Sequence, residues 1–457
     1  MYAKNIRLFG IALAMVGLTA VLGYGVRRSE FVCLLGGYAA FFALYVWLAF
    51  GAALSASQWR FFIALGIFLR VLLLFSIPNL SDDVFRFIWD GRLIANGIHP
   101  FAHPPIWFST QQCWPEGLTP ALLGRLNSPE YYTVYPPVCQ GVFALAAWVS
   151  PHGLLGAVVC LKGFLLLCEL GSIWILYRNR TEETRLSGTL LYALNPLLIL
   201  EVSGNCHFEG AAIFFLLAAL QALRGGPDAE TAEKKPMLSW SAVFLALSTA
   251  TKLVPLLFVP LVWRWLGWKK GSQFVLVYAL AMVALFLPLL DIGLLRNMAQ
   301  SLDLYFQKFA FNASVYYVLW EIGLYFKNYN MVNTLGPAVG CLQMALMALV
   351  FVRLKPGGAF ASLHSAMVGV LCLYLFGAST VHPWYVALLL GLVLAPVPDK
   401  KFSYLFALVW SGTVVLSYSH YQHGAFVEQK GLIALEYLLV LAAWLALDRR
   451  RDSSFGG

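Results

Sequence analysis

The chain has 457 residues, of which 60% are hydrophobic, 15% aromatic and only 12% charged, and its mean hydropathy is +0.74. Soluble globular chains carry about 25% charged residues, so this composition excludes a water-soluble enzyme. It also excludes a disordered chain, which combines low hydrophobicity with high charge. The net charge of +9 sits at the ends of apolar runs rather than on one soluble face, which points to membrane topology and not to nucleic acid.

Apolar runs that read as membrane spans occur at 6–24, 31–51, 59–77, 154–177, 186–202, 209–223, 273–290, 331–352, 363–378, 384–397, 401–419 and 431–447. Continuous runs of this kind exclude the alternating pattern of a membrane β-barrel. The first run, behind Lys4 and Arg7, has the charge and length of a signal peptide, but a second run follows almost at once and favours an uncleaved span. Segment 238–266 is too long for one simple span and is broken by Thr251-Lys252 and Pro255, so it reads as a hairpin of two short helices with Lys252 at the tip. Segments 138–150 and 313–326 are too short to cross and read as re-entrant or interfacial.

With the N-terminus in the cytoplasm and the hairpin counted as two crossings, most of the 31 basic residues fall on cytoplasmic loops. Arg27 and Arg28 are the main violation. The expected fold is therefore an all-α polytopic bundle of roughly 12–14 transmembrane helices, forming a single membrane domain. The long polar segments all fall on the outer side: 78–137, 203–208, 291–330, 379–383 and 420–430. The first is the longest, rich in Trp, Phe, Tyr and Pro, and reads as short amphipathic helices on the membrane surface. The eight cysteines lie mostly inside apolar runs, where Cys acts as a small hydrophobe. Cys113 and Cys139 fall in polar surroundings, and nothing in the sequence pairs them.

Chemistry-bearing residues concentrate on that outer side. Ser81-Asp82-Asp83 follows the third run. Two adjacent carboxylates repel, which raises one pKa and suits a general base; the same residues also suit a helix N-terminus. Arg86 and Asp90 stand at i, i+4, the spacing of a helix-face ion pair, and Arg86 is also one turn from Asp82, where it can orient a carboxylate or meet a phosphate. Lys252 between two apolar half-helices calls for an anionic partner. His207 and Glu209 follow one span, Lys308 and Asn312 lie in the second outer loop, and His382-Pro383-Trp384-Tyr385 occupies a turn. His420 and His423 alone make a poor metal site. Lys162 and Glu169, seven residues apart within one span, read as a structural pair or as contacts to a neighbouring helix.

The string S-D-D-V-F-R-F-I-W-D-G-R-L-I-A-N-G-I-H-P-F at Ser81–Phe101 resembles the first outer loop of GT-C superfamily membrane glycosyltransferases. It is most similar there to bacterial polyprenol-phosphate-mannose-dependent mannosyltransferases. The Tyr135-Pro136-Pro137 step, the stretch Asn195–Asn205, Thr251–Pro255, Phe311–Tyr317 and His382–Tyr385 also resemble that group, in the same order. Phe87, His99 and Phe101 stand where Tyr, Asn and Tyr are common.

The resemblance implies a GT-C-type bundle and an inverting transfer of a hexose, mannose first, from a polyprenyl-phosphate-linked donor. The acceptor is a hydroxyl of a glycolipid, glycan or protein at the extracytoplasmic face of the cytoplasmic membrane. It makes Asp82 the first and Asp83 the second choice for general base, and places Arg86, Lys252, His207, Lys308 and His382 at the donor phosphate. It further implies sugar or acceptor contacts from Trp89, Asp90, Arg92, Tyr135, Glu209, Asn312, Trp384 and Tyr385. No cofactor is implied, although two adjacent carboxylates are compatible with a divalent ion. The competing reading from composition alone is a secondary transporter or lipid-carrier flippase. Against it stand the lack of an internal repeat and the concentration of polar groups on one side.

Overall fold

The computed structural model describes residues 2–178, 182–224, 236–291, 293–307, 310–327, 332–397, 405–422 and 427–452. Helix dominates, and the only β pairing among the described residues is an isolated bridge between Phe311 and Thr380. Among the described residues, seven helices are long and apolar enough to cross a membrane: Lys4–Tyr24, Phe31–Gly51, Ala56–Phe75, Leu154–Arg178, Trp268–Leu289, Leu335–Arg353 and Phe360–Gly377. A pair bent by 109°, Leu198–Gly204 with Glu209–Arg224, makes an eighth span when the two halves are counted as one broken helix. The chain is thus a polytopic all-helical membrane protein.

Length alone gives fewer crossings than the 12–14 expected, because several of the expected spans are broken or short. Five further apolar helices have 10–17 residues, among them Pro137–Val149, Leu238–Thr249, Val254–Leu266 and Tyr385–Leu394. Pro137 opens its helix at a position where a missing N–H costs nothing. The bend of the eighth span passes through Cys206, whose φ of +64° is a rarely visited backbone state for a residue with a side chain. That turn separates Glu201 from Glu209 and brings His207 between them.

The expected hairpin over 238–266 is present, and hydrogen bonds fix its direction. Met237 N–H donates to Ala222 O, the Arg224 guanidinium to Pro396 O, and the Trp265 indole to Gly358 O. Arg224, Phe360 and Pro396 line one small cavity, so both feet of the hairpin stand at that end of the bundle. Lys252 therefore lies at the opposite end. There Val138 N–H donates to Ala250 O, tying the tip to the helix Pro137–Val149.

The long segment after the third span folds into the helix Asp83–Ala95, a 3-10 turn Pro105–Thr110 and a short helix Pro120–Leu123. Its aromatic content builds a second hydrophobic core. Phe87 stacks on Phe143 at 4.6 Å, and Trp89 meets Phe108 and Trp114 edge-on. Gly91 lets the two helices touch: a Cβ there would stand 2.1 Å from Phe143 O.

Arg70 and Lys162, two cations buried in the bundle, are both matched. Arg70 pairs with Glu169 at 2.9 Å, and Glu169 also accepts from the Tyr192 hydroxyl. Lys162 donates to Leu73 O, Ser76 O and Ser76 Oγ, closing carbonyls left open where the third span ends. Lys162 and Glu169 thus serve different neighbours. Cys113 is exposed and Cys139 buried, both as free thiols.

Overpacking a close helix crossing costs about 1–3 kcal/mol, so Gly91→Ala is expected to lower the thermal unfolding midpoint of the purified protein. Gly141→Ala, on the facing helix where an added Cβ meets nothing within 4 Å, is expected to leave that midpoint unchanged or raise it. Equal midpoints for the two variants would show that the crossing is not the constraint described.

Candidate active site

At the end of the bundle opposite Arg224 and Pro396, side chains from separate stretches of chain meet around Lys252. Its Nζ stands 2.9 Å from Glu209 Oε1 and 5.6 Å from the centre of the Tyr135 ring. Glu209 begins a helix, where its charge is favoured by the helix dipole. The Ser248 and Ser241 hydroxyls donate to Ala212 O and Ala219 O, holding the two helices that carry Lys252 and Glu209 in register.

Asp83, at the first helical position of Asp83–Ala95, lies within electrostatic reach of Lys252. Its carboxylate accepts from Asn127 Nδ2 at 2.9 Å and from the Tyr135 hydroxyl. Burial pushes the Asp83 carboxyl above its ordinary value, and Lys252 with these two hydrogen bonds pulls it part of the way back. Asp82 points elsewhere, into an ion pair with Arg28 from the turn between the first two spans. The Arg28 guanidinium also lies over the Tyr421 ring at 4.8 Å.

A stack of three rings forms the other wall. His207 lies 3.7 Å from the Trp384 ring at 14°, and His382 lies 4.5 Å from the same ring at 6°. Two imidazoles this close to one indole, nearly parallel to it, do not fit side by side on one face, so they take opposite faces. Both faces of the Trp384 indole are thus covered by imidazoles. Tyr385 meets the His382 ring edge-on at 5.4 Å, and Phe311 lies against it at 4.8 Å. Burial, then the Lys252 charge and His420, push His382 down to about 3. At neutral pH it is an uncharged hydrogen-bonding ring and not a phosphate-binding cation.

Behind His207 stands Glu201, whose Oε2 is 3.5 Å from His207 Nε2 and whose Oε1 accepts from the Tyr418 hydroxyl at 2.7 Å. His207 Nε2, Glu201 Oε2 and Glu209 Oε2 are buried and make no hydrogen bond. Such atoms are costly unless a partner group is bound, so this wall carries unspent polar capacity.

Of the residues expected at the site, the structure gathers Asp83, Lys252, His207, His382, Tyr135, Glu209, Trp384 and Tyr385, with Asp82 beside them. It places four elsewhere, in the frame of the loop. Arg86 pairs with Asp90 at 2.8 Å and donates to Tyr131 O. Asp90 also accepts from Gln140. Trp89 is fully buried among aromatics, and Arg92 donates to Gly117 O. Asn312 is a buried junction: its N–H donates to Glu428 and its side chain to Glu436. Lys308 and His423 lie outside the described residues.

Sequence reading missed Arg28, Asn127, Glu201, Tyr418 and Tyr421. Only Arg28 left a signal, as a basic residue on the side where the topology expects few. Among the described residues, no group of three or more His, Cys, Asp or Glu is placed to hold a metal ion.

A family model described as alpha-(1->6)-mannopyranosyltransferase, N-terminal domain, matches residues 11–267. That range includes Arg28, Asp82, Asp83, His207, Glu209 and Lys252. "Alpha-(1->6)-mannopyranosyltransferase B" of Corynebacterium glutamicum is 24% identical over 185 residues, covering 40% of this chain and 30% of that protein. A "Probable alpha-(1->6)-mannopyranosyltransferase" of Mycolicibacterium smegmatis is 27% identical over 233 residues, covering 44% of this chain and 39% of that protein. The chain thus spans less than half the length of either relative.

Removing one partner of a buried ion pair leaves the other charge stranded, at a cost of about 3 kcal/mol or more. Lys252→Ala is expected to lower the thermal midpoint, and adding Glu209→Gln to recover part of the loss. A double variant no more stable than Lys252→Ala would show that the two groups are not coupled.

Proposed function

The chain belongs to the alpha-(1->6)-mannopyranosyltransferase family, and from that premise we propose that it transfers a mannosyl group, with inversion, from a polyprenyl-phosphate-linked donor to an acceptor hydroxyl. The acceptor is a glycolipid, glycan or protein at the extracytoplasmic face of the cytoplasmic membrane. The observation that supports this reading best is the meeting of Asp83, the Lys252–Glu209 pair and the His207–Trp384–His382 stack at one end of a lipid-embedded bundle. A donor with a lipid tail and an anionic linkage needs such a place, with cations at the membrane boundary and a base beside them.

In this scheme the acceptor hydroxyl gives its proton to a carboxylate as its oxygen bonds to the anomeric carbon. The anomeric carbon–phosphate oxygen bond breaks, and its electron pair leaves with the phosphate. The donor phosphodiester, a monoanion, becomes a phosphate monoester able to carry two negative charges. Lys252 meets that growing charge, and Glu209 holds the ammonium in place. Asp83 suits the base role, because burial raises its proton affinity while Asp82 is engaged by Arg28. Neutral His382 and His207 supply hydrogen bonds rather than charge. The mannose follows the family, and the donor class and membrane face rest on the resemblance of the motifs; the nearness of Asp83 to the Lys252–Glu209 pair is the structural support.

A general base contributes about 10²–10⁴ in rate, so Asp83→Asn is expected to reduce turnover by that factor in purified protein given short-chain polyprenyl-phosphate mannose. Full turnover in both Asp82→Asn and Asp83→Asn would sink the general-base assignment. Transfer of glucose or galactose, with mannose rejected, would overturn the donor. Because Asp83 is raised and must be unprotonated to act, kcat/KM should fall with decreasing pH along a limb lying above the ordinary aspartate value of about 3.9. Lys252→Ala should weaken donor use more than acceptor use, and unchanged donor KM and kcat would contradict its phosphate role.

A further inference from the structure

Arg28 is used for little in the fold. A guanidinium carries five N–H donors, and the hydrogen bond that Arg28 makes is to Asp82 Oδ2. One face of the group is covered by Tyr421 at 4.8 Å, which fixes its plane. The side chains of Arg28 and Asp82 remain 31% and 33% exposed. This differs from Arg70, which is fully buried and hydrogen-bonded to Glu169, Gly66 O and Tyr192 O. Arg28 also sits in a turn where the distribution of basic residues favours none, so its position answers to something other than topology.

We propose that Arg28 is a phosphate-binding residue of the transfer site, meeting the phosphate of the lipid-linked donor from the side of Asp82 as Lys252 meets it from the side of Asp83. The inference rests on the transferase reading above. A planar guanidinium presents two parallel N–H groups to two phosphate oxygens. Asp82 holds it extended, and Tyr421 sets the plane in which the fork opens. As the anomeric carbon–oxygen bond breaks and the electron pair passes to the phosphate oxygen, the phosphate gains a negative charge and Arg28 gains a stronger partner than Asp82. The acceptor's proton goes to the base, so charge and atoms balance without a further reactant.

The test separates contact with phosphate from bracing of Asp82. Binding of a short-chain polyprenyl monophosphate and of the uncharged polyprenol of equal length is measured for wild type, Arg28→Ala, Arg28→Lys and Asp82→Asn in nanodiscs, alongside mannosyl transfer. Arg28→Ala should weaken the monophosphate at least tenfold and leave the polyprenol unchanged, with kcat reduced about 10²–10³. Arg28→Lys should fall between it and wild type. Asp82→Asn should bind the monophosphate as tightly as wild type or more so, since it releases the guanidinium. Should Arg28→Ala fail to fold, the last two variants carry the same discrimination. Wild-type monophosphate affinity in Arg28→Ala or Arg28→Lys, with transfer intact in wild type, would overturn this inference alone. Equal monophosphate losses in Arg28→Ala and Asp82→Asn would reduce Arg28 to a brace. A wild-type protein that neither binds the monophosphate nor transfers mannose would overturn the transferase reading, and the role of Arg28 with it.

Discussion

The ion pair between Lys252 and Glu209 is the constraint on which the site depends. An ammonium at the tip of an apolar hairpin is tolerated only with an anion beside it, and Glu209 can supply one only if the span before it breaks. The break is the turn through Cys206, with its unfavourable φ. Once the pair is made, other elements are located in sequence. The hairpin tip is held to the helix Pro137–Val149 through Ala250 and Thr251. That helix takes the helix Asp83–Ala95 against it at Gly91 and Phe87. The second contact sets where Asp83 stands relative to Lys252, so the two groups are positioned by one continuous chain of packing.

The ring stack adds a different property. His207 and His382 are buried against the two faces of one indole, near a permanent cation. An imidazolium there would face both desolvation and like charge, so His382 stays neutral. Among the described residues, positive charge at the site is thus carried by Lys252 and Arg28, and the histidines provide direction. Selectivity for a sugar hydroxyl over another group is well served by neutral donors and acceptors held rigidly, because an unmatched buried polar group is costly. The free polar atoms of Glu201 and His207 fit that use.

Much of the architecture was legible in the sequence because lipid imposes simple rules. Long apolar runs, a lysine between two half-runs and polar segments collected at one end gave the polytopic fold, the hairpin and the neighbourhood of Asp83, Lys252 and His382. The motif around Asp82 was less transparent. Every residue from Val84 to Leu93 is buried, so this helix has no exposed face from which sequence could separate substrate contacts from framework. Trp89, Asp90, Arg86 and Arg92 stand beside the carboxylates in the chain and yet are spent inside the loop. Glu201 was hidden for the opposite reason: it lies within an apolar run, and only the break at Cys206 turns it toward His207. Arg28 was visible, but as an exception to the charge bias rather than as a partner of Asp82.

These ion pairs divide into two kinds by what their exposure permits. Arg70–Glu169 and Arg86–Asp90 have side chains between 0% and 6% exposed, and further hydrogen bonds within the protein hold them. Pairs of that kind cannot change partner without unfolding their surroundings, since each charge left alone would be stranded in a medium that does not solvate it. Arg28–Asp82 and Lys252–Glu209 are open on at least one side, with Lys252 21% exposed. At Arg28–Asp82 both partners are about a third exposed, so an anion can engage the guanidinium while water still reaches the carboxylate; at Lys252–Glu209 only the ammonium is open, and Glu209, 6% exposed, stays beside it. A chain with few charges thus keeps one set closed to hold the bundle together. It leaves the other set open at the boundary where a lipid-borne anion would enter, which is why charge pairing stabilises the frame and equips the site with the same residue types.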